Sequence, residues 1–369
     1  MPMNPLLQLH ALDQRVWLDN LSRTLLREGG LKRLVDDDGL AGVTSNPTIF
    51  YKAMSESPYY RDDLAALQRD ARLSAEERYE RLAVPDIQAA CDLLRPLYDT
   101  TRGEDGYVSL EVSPALAHDT AGTIAAAKRL RAMVSRSNVL MKVPATPAGI
   151  AAIEELIGQG ISVNVTLMFS LVHVREVAQA YIRGIERWTG NGGDAQRVKS
   201  VASLFLSRVD TLVDKKLDTC AGNAAAGLHG KAGVALAMLA YREYKNTFRG
   251  ERFAKHAARG VRPQCMLWAS TGTKNPAYSD LLYVEALIGP ETINTLPDAT
   301  LGAFRDHGRA APTLEQDIEA AQEHFDALAR VGIDMRQIGE TLQAEGVKLF
   351  AQSFDDLLAL MALAAKQTA

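Results

Sequence analysis

Eight short apolar runs, each followed by a stretch of helical period, constrain this 369-residue chain more than any other feature. The runs lie at 15–19, 42–46, 107–112, 139–144, 162–167, 200–209, 264–269 and 292–296, and they read as strands. Between them the apolar residues recur with helical spacing, at 79–97, 120–132, 148–156, 171–188 and 281–288, and several of these stretches end in glycine. A further helix is expected over 234–248, and two long ones over 314–329 and 335–363. Strands alternating with helices predict parallel pairing through crossover helices. Eight such units close a (β/α)8 barrel, and the length leaves room for additions. The expected fold is therefore α/β, a single barrel domain over 1–369 with an insertion near 211–250 and C-terminal helices over 314–365. An open doubly wound sheet competes, but Gly-x-Gly-x-x-Gly stands at no strand end.

Composition narrows the function. A hydrophobic fraction of 47% and a charged fraction of 23% are those of an ordinary soluble protein. Net charge is −4 and Lys and Arg are scattered, so no nucleic-acid partner is expected. Three distant cysteines, Cys91, Cys220 and Cys265, argue against a disulfide framework and a zinc site. The first 17 residues include Asp13 and Arg15 and lack a secretory apolar core, and the longest apolar run, 357–365, is about half a membrane span. A cytoplasmic protein without a membrane partner is expected. Seven histidines contain no His-x-x-x-His pair, so no metal is expected either. The stretch 218–233, with Gly222, Gly227, Gly230 and Gly233, reads as a flexible insertion. His229-Gly230-Lys231 is not a phosphate loop, because Ala232 stands where Ser or Thr would bind magnesium.

Lys142 interrupts the apolar run Val139-Leu140-Met141-Lys142-Val143. A buried ammonium costs several kcal/mol unless it is paired or gives up its proton, and a neutral amine attacks carbonyls to form Schiff bases. The alternative is a lysine at a strand edge with its head in solvent. In a barrel, catalytic groups come from the C-terminal strand ends. Those ends carry Asp19, Asn46, Glu111, Lys142, Asn164 with Thr166, Ser203 with Arg208, and Ser270 with Lys274. Each has a plainer reading: Asp19 as a cap for a helix over 21–27, Asn46 as a turn residue, Thr166 as a strand former, Arg208 as a surface partner of Asp210. A carboxylate inside a strand, as at Glu111, needs a partner.

The blocks Trp17-Leu18-Asp19, Gly42-Val43-Thr44-Ser45-Asn46-Pro47-Thr48, Ser109-Leu110-Glu111-Val112, Met141-Lys142-Val143-Pro144-Ala145-Thr146, Asn164-Val165-Thr166-Leu167-Met168-Phe169-Ser170 and Ala269-Ser270-Thr271 resemble the transaldolase family, in its order. The resemblance implies a class I, Schiff-base aldolase type of (β/α)8 barrel in the non-oxidative pentose phosphate pathway. Such an enzyme moves a dihydroxyacetone unit from sedoheptulose 7-phosphate or fructose 6-phosphate to glyceraldehyde 3-phosphate or erythrose 4-phosphate. It also implies that Lys142 forms the imine, that Asp19 transfers protons, and that Glu111 and Thr166 hold a catalytic water. Asn46 and Asn164 would bind the dihydroxyacetone hydroxyls. Ser203 and Arg208 match the family's phosphate-binding Ser and Arg, with Ser270 and Lys274 completing that site. One departure stands out: two residues after Ser270 is Gly272, where the commonest members carry arginine, and the first cation is Lys274. With the insertion, this is similar to the longer subgroup, which includes forms fused to phosphoglucose isomerase.

No metal or organic cofactor is needed for this chemistry, since the iminium is the electron sink. Sugar phosphates are the expected ligands, in a monomer or homodimer. A simple fructose 6-phosphate or deoxyribose phosphate aldolase shares lysine and barrel, and a silent sugar-phosphate-binding barrel is the non-enzymatic alternative. Asp19 and Glu111 favour transfer.

Overall fold

The computed structural model describes residues 4–220 and 225–362. Its strands are β1 (Gln14–Leu18), β2 (Gly42–Thr44), β3 (Tyr107–Glu111), β4 (Val139–Pro144), β5 (Val163–Met168), β6 (Ser200–Phe205), β7 (Cys265–Ala269) and β8 (Thr292–Leu296). Each pairs in parallel with the next, and β8 returns to β1 in the register Gln14↔Thr292 to Leu18↔Leu296, closing the barrel. β3, β4, β5 and β6 are buried at every position, which explains their near-continuous apolar runs.

The helices expected over 120–132, 148–156 and 171–188 are Thr120–Val134, Pro147–Gly158 and Leu171–Gly190, and that expected over 79–97 is Ala75–Thr100. The last begins at a capping box, in which Ser74 accepts from the Glu77 amide and Glu77 accepts from the Ser74 amide. Inside the barrel Trp17 lies against Gly42. A methyl group there would come within 2.6 Å of the indole, so even Gly42→Ala overpacks by about 1–3 kcal/mol. At the N-terminal rim Arg15 pairs with Asp105, and Lys199 and Arg262 share Glu104. That face is bound up in structural ion pairs.

Several boundaries differ from the sequence reading. The strand expected over 200–209 stops at Phe205, and the helix Ser207–Leu217 follows. The run contains neither Gly nor Pro to signal the break. Val209 is apolar because, with Val213 and Leu217, it forms the buried face of that helix at i, i+4, i+8. Arg208 consequently sits in a helical first turn. Asp210 does not pair with it on the surface. Residues two apart diverge on a helix, and Asp210 is buried, accepting from the Gly233 amide (3.0 Å) and the Tyr283 hydroxyl (2.6 Å). Asp19 does not cap the next helix, Arg23–Arg27, because Ser22 does. Asn46 does cap Pro47–Glu56, accepting from the Ile49 amide at 3.0 Å. The expected helices over 281–288 and 314–329 are Leu282–Glu285 and Ile318–Arg330, and that over 234–248 is Ala232–Phe248. Within the expected insertion, 221–224 including Gly222 lie outside the described residues, as does the C-terminal helix beyond 362.

That final helix, Met335–Ala362, lies along the C-terminal ends of β4 and β5. Gln343 donates to the carbonyls of Ala145 (2.8 Å) and Leu167 (3.1 Å), and Thr48 donates to Ser353 at 2.9 Å. Tyr79 and Phe354 meet edge to face.

Candidate active site

Strand register brings the predicted residues together. Glu111 on β3 lies beside Lys142 on β4, which lies beside Asn164 on β5. Neighbours in register share a face, and Ser109 and Thr166, two residues from Glu111 and Asn164, share it too. At the mouth above them is a cavity of about 310 Å³. Asp19, Asn46, Lys142, Ser203, Arg208, Ser270 and Lys274 all border it. Glu111, Asn164 and Thr166 lie outside that lining, as buried residues.

Lys142 is 4% exposed. Its Nζ donates to the Ser45 carbonyl at 3.2 Å and forms an ion pair with Glu111 Oε2 at 3.2 Å. The Phe350 ring centroid is 5.7 Å from the same nitrogen. The strand-edge alternative therefore fails: the head group is inside the barrel and paired. Burial raises the Glu111 carboxyl pKa above the ordinary range; Lys142 opposes that shift and Asp19 adds to it. Asp19 is raised for the same first reason, burial, with Lys142 and the Thr44 hydroxyl pulling the other way. Thr44 Oγ1 donates to Asp19 Oδ1 at 2.7 Å and lies 2.9 Å from Thr295 Oγ1. An acid whose pKa is lifted toward neutrality both takes and returns protons readily.

Asn164 is fully buried and bonded at both ends of its amide, with one Nδ2 hydrogen left over. Its Nδ2 donates to Ser109 Oγ (3.0 Å), and its Oδ1 accepts from Ser203 Oγ (2.7 Å). Ser203 thus borders the cavity with its proton directed inward to Asn164. Thr166 Oγ1 is buried with no hydrogen-bond partner among the described residues. The next residue, Leu167, has φ 58°, where β5 breaks register against β6. Left-handed backbone in a leucine costs on the order of 1–3 kcal/mol. Ser270, with φ 55°, holds a second such turn at the mouth, and its hydroxyl lies 2.9 Å from that of Ser207.

Arg208 is half-buried and Lys274 exposed, and neither makes an ion pair with an acid among the described residues. Arg208 lies over the Phe205 ring at 5.9 Å. Burial lowers the guanidinium pKa and Glu345 opposes the shift, but arginine stays charged. Two cations, an amine and two acids gathered around one mouth suit a ligand with an anionic end and a carbonyl.

Sequence reasoning did not assign Thr44, Thr295, Phe205 or Phe350. Thr44 lies two residues before Asn46, within the run Gly42–Thr48. Phe350 has no such neighbour in sequence, because it arrives from a helix some two hundred residues beyond Lys142.

A buried lysine paired to an acid thus sits at the C-terminal end of a closed parallel barrel. The family model for "Transaldolase/Fructose-6-phosphate aldolase" matches residues 16–361. The chain is 54% identical over 357 residues to "Transaldolase" of Thiobacillus denitrificans, covering 97% of this chain and 99% of that one. It is 45% identical to "Transaldolase" of Neisseria gonorrhoeae with the same coverage, and 46% identical to "Transaldolase" of Thermobifida fusca over 96% of each chain. The chain belongs to the transaldolase family, and the closed barrel is that family's (β/α)8 fold. No helix among the described residues is long and apolar enough to cross a membrane.

Proposed function

We propose that this barrel mouth transfers a dihydroxyacetone unit between sugar phosphates, the transaldolase reaction of the non-oxidative pentose phosphate pathway, with Lys142 as nucleophile. The observation that carries the reading is the buried Lys142 amine held at 3.2 Å by Glu111, in the same site as Asp19. Deprotonated Lys142 attacks C2 of fructose 6-phosphate or sedoheptulose 7-phosphate, and the carbinolamine loses water to give an iminium. Glu111 handles the protons of that addition and dehydration through a water that Thr166 Oγ1 also bonds. A buried hydroxyl with no partner among the described residues supports this, since such a group calls for one. Asp19 takes the proton of the C4 hydroxyl, the C3–C4 electrons move into the iminium, and an aldose phosphate leaves. The bound enamine then adds to glyceraldehyde 3-phosphate or erythrose 4-phosphate, Asp19 returns its proton, and hydrolysis frees Lys142.

Asn46 Nδ2, left over after capping, binds a dihydroxyacetone hydroxyl, and Asn164 does so together with the Ser203 hydroxyl it fixes. Arg208, Ser270 and Lys274 take the phosphate. Ser203 sits nearer the hydroxyls than the phosphate in this assignment, because its donor is committed to Asn164. The chain works as one barrel domain, in the cytoplasm, as a monomer or homodimer, without metal or organic cofactor. Activity assayed with and without an aldose phosphate acceptor tests transfer against cleavage. Acceptor-dependent consumption of fructose 6-phosphate is expected, and equal consumption without acceptor would make the enzyme an aldolase.

A further inference from the structure

Asp214 and Tyr278 have no place in the roles above, yet they tie three segments together beside the phosphate cations. Arg208 stands on the helix Ser207–Leu217, and Ser270 and Lys274 on the loop after β7. A second cavity of about 240 Å³ separates helix and loop, and Lys274 borders both it and the catalytic cavity. Three side-chain contacts bridge the gap: Ser207 Oγ to Ser270 Oγ at 2.9 Å, Tyr283 hydroxyl to Asp210 Oδ2 at 2.6 Å, and Tyr278 hydroxyl to Asp214 Oδ2 at 2.7 Å. The insertion bonds the same two carboxylates by its backbone, Gly230 N to Asp214 Oδ1 at 2.9 Å and Gly233 N to Asp210 Oδ1 at 3.0 Å. Gly230 has φ +69°, and a Cβ there would come within 2.6 Å of the Tyr278 ring, so the insertion backbone lies directly on that tyrosine.

We infer that Asp214 and Tyr278 are positioning residues for phosphate, and that the insertion braces the loop bearing Lys274 against the helix bearing Arg208. A flexible exposed lysine binds an anion weakly, because ordering its loop consumes binding energy. A loop anchored to Asp214 at Tyr278, four residues beyond Lys274, meets the phosphate with that ordering already done. The inference rests on the proposed assignment of phosphate to Arg208 and Lys274.

The test compares Tyr278→Phe, Gly230→Ala and Arg208→Ala with the parent enzyme. Tyr278→Phe removes one hydroxyl and keeps the ring; Gly230→Ala pushes the ring from the other side. Both should raise KM for fructose 6-phosphate and the inhibition constant of inorganic phosphate about 3–10-fold, with kcat and slow turnover of unphosphorylated fructose within about 2-fold. If both variants keep these constants while Arg208→Ala raises them, the brace is refuted and the phosphate assignment stands. If both lose turnover of fructose and fructose 6-phosphate equally, they act on the fold and the brace is again refuted. If Arg208→Ala itself shows no preference for phosphorylated substrate, the phosphate assignment falls and the brace with it.

Discussion

Replacing Arg208 with alanine separates a binding role from a structural one, because the surroundings of the two kinds of arginine differ. Arg23 spans Asp63 and Asp86 and is 7% exposed, so truncating it leaves the buried Asp86 carboxylate without a countercharge, with only the Tyr60 hydroxyl on it, and costs about 3–5 kcal/mol of stability. Arg208 makes no such pair among the described residues and stacks only on Phe205. Its loss orphans no acid and should cost the fold under about 1 kcal/mol. A charge-assisted hydrogen bond to phosphate is worth roughly 1.5–3 kcal/mol, which is about 10–150-fold in kcat/KM. Lys274→Ala should cost less, about 10-fold, since an exposed ammonium is a point charge rather than a fork. The assay is kcat/KM on fructose 6-phosphate and on fructose, with thermal unfolding alongside. Arg208→Ala should lose its factor on the phosphorylated sugar alone. An equal loss on both sugars, or a fall in melting temperature of many degrees, would refute the phosphate role.

Asp19→Ala should still form the imine but fail to break C3–C4, lowering turnover about 10²–10⁴-fold while borohydride trapping persists; Glu111→Ala should slow trapping itself. If both variants stall at the same step, the division of labour is wrong. Phe350→Leu keeps an apolar wall and removes the ring facing Lys142. The iminium is a cation, and a partly desolvated cation over a ring gains about 0.5–2 kcal/mol, so the iminium available for trapping should fall about 2–30-fold with the fold intact; an unchanged yield would make Phe350 mere packing. Burial lowers the His173 pKa to about 4, and its Nδ1 accepts from the Phe169 amide at 3.1 Å. The folded state thus binds that proton later than the unfolded chain does. Stability is full above about pH 6.5 and falls as pH drops toward 4, by about 2 kcal/mol at pH 5 from this group. Urea unfolding at pH 7 and pH 5 should show a smaller pH difference for His173→Gln than for the parent; an equal difference contradicts the assignment.

The barrel was legible because parallel strands buried on both faces cannot avoid long apolar runs, and all eight fell within a few residues of their positions. The short helices Pro5–Ala11, Gly30–Asp38 and Arg61–Arg69 were not, since they are shorter than three turns and tertiary packing rather than local pattern holds them. The end of β6 was misjudged for a related reason. Val209 is apolar in either state, and the chain is turned by contacts with β7, as in the bonds from Leu206 and Ser207 amides to Ala269 and Ser270 carbonyls. At the site, residue types at strand ends could be read locally. Their partners could not: Ser203 on Asn164, Ser45 on Lys142 and Phe350 over Lys142 join residues 39, 97 and 208 positions apart.

The central claim is that Lys142 becomes covalently attached to the sugar. Incubation with fructose 6-phosphate and borohydride, followed by peptide mass spectrometry, tests it most directly. A stable dihydroxyacetone-derived mass on the peptide containing Lys142, absent from Lys142→Ala, is the predicted result. A label on another lysine, or turnover surviving in Lys142→Ala, would contradict it.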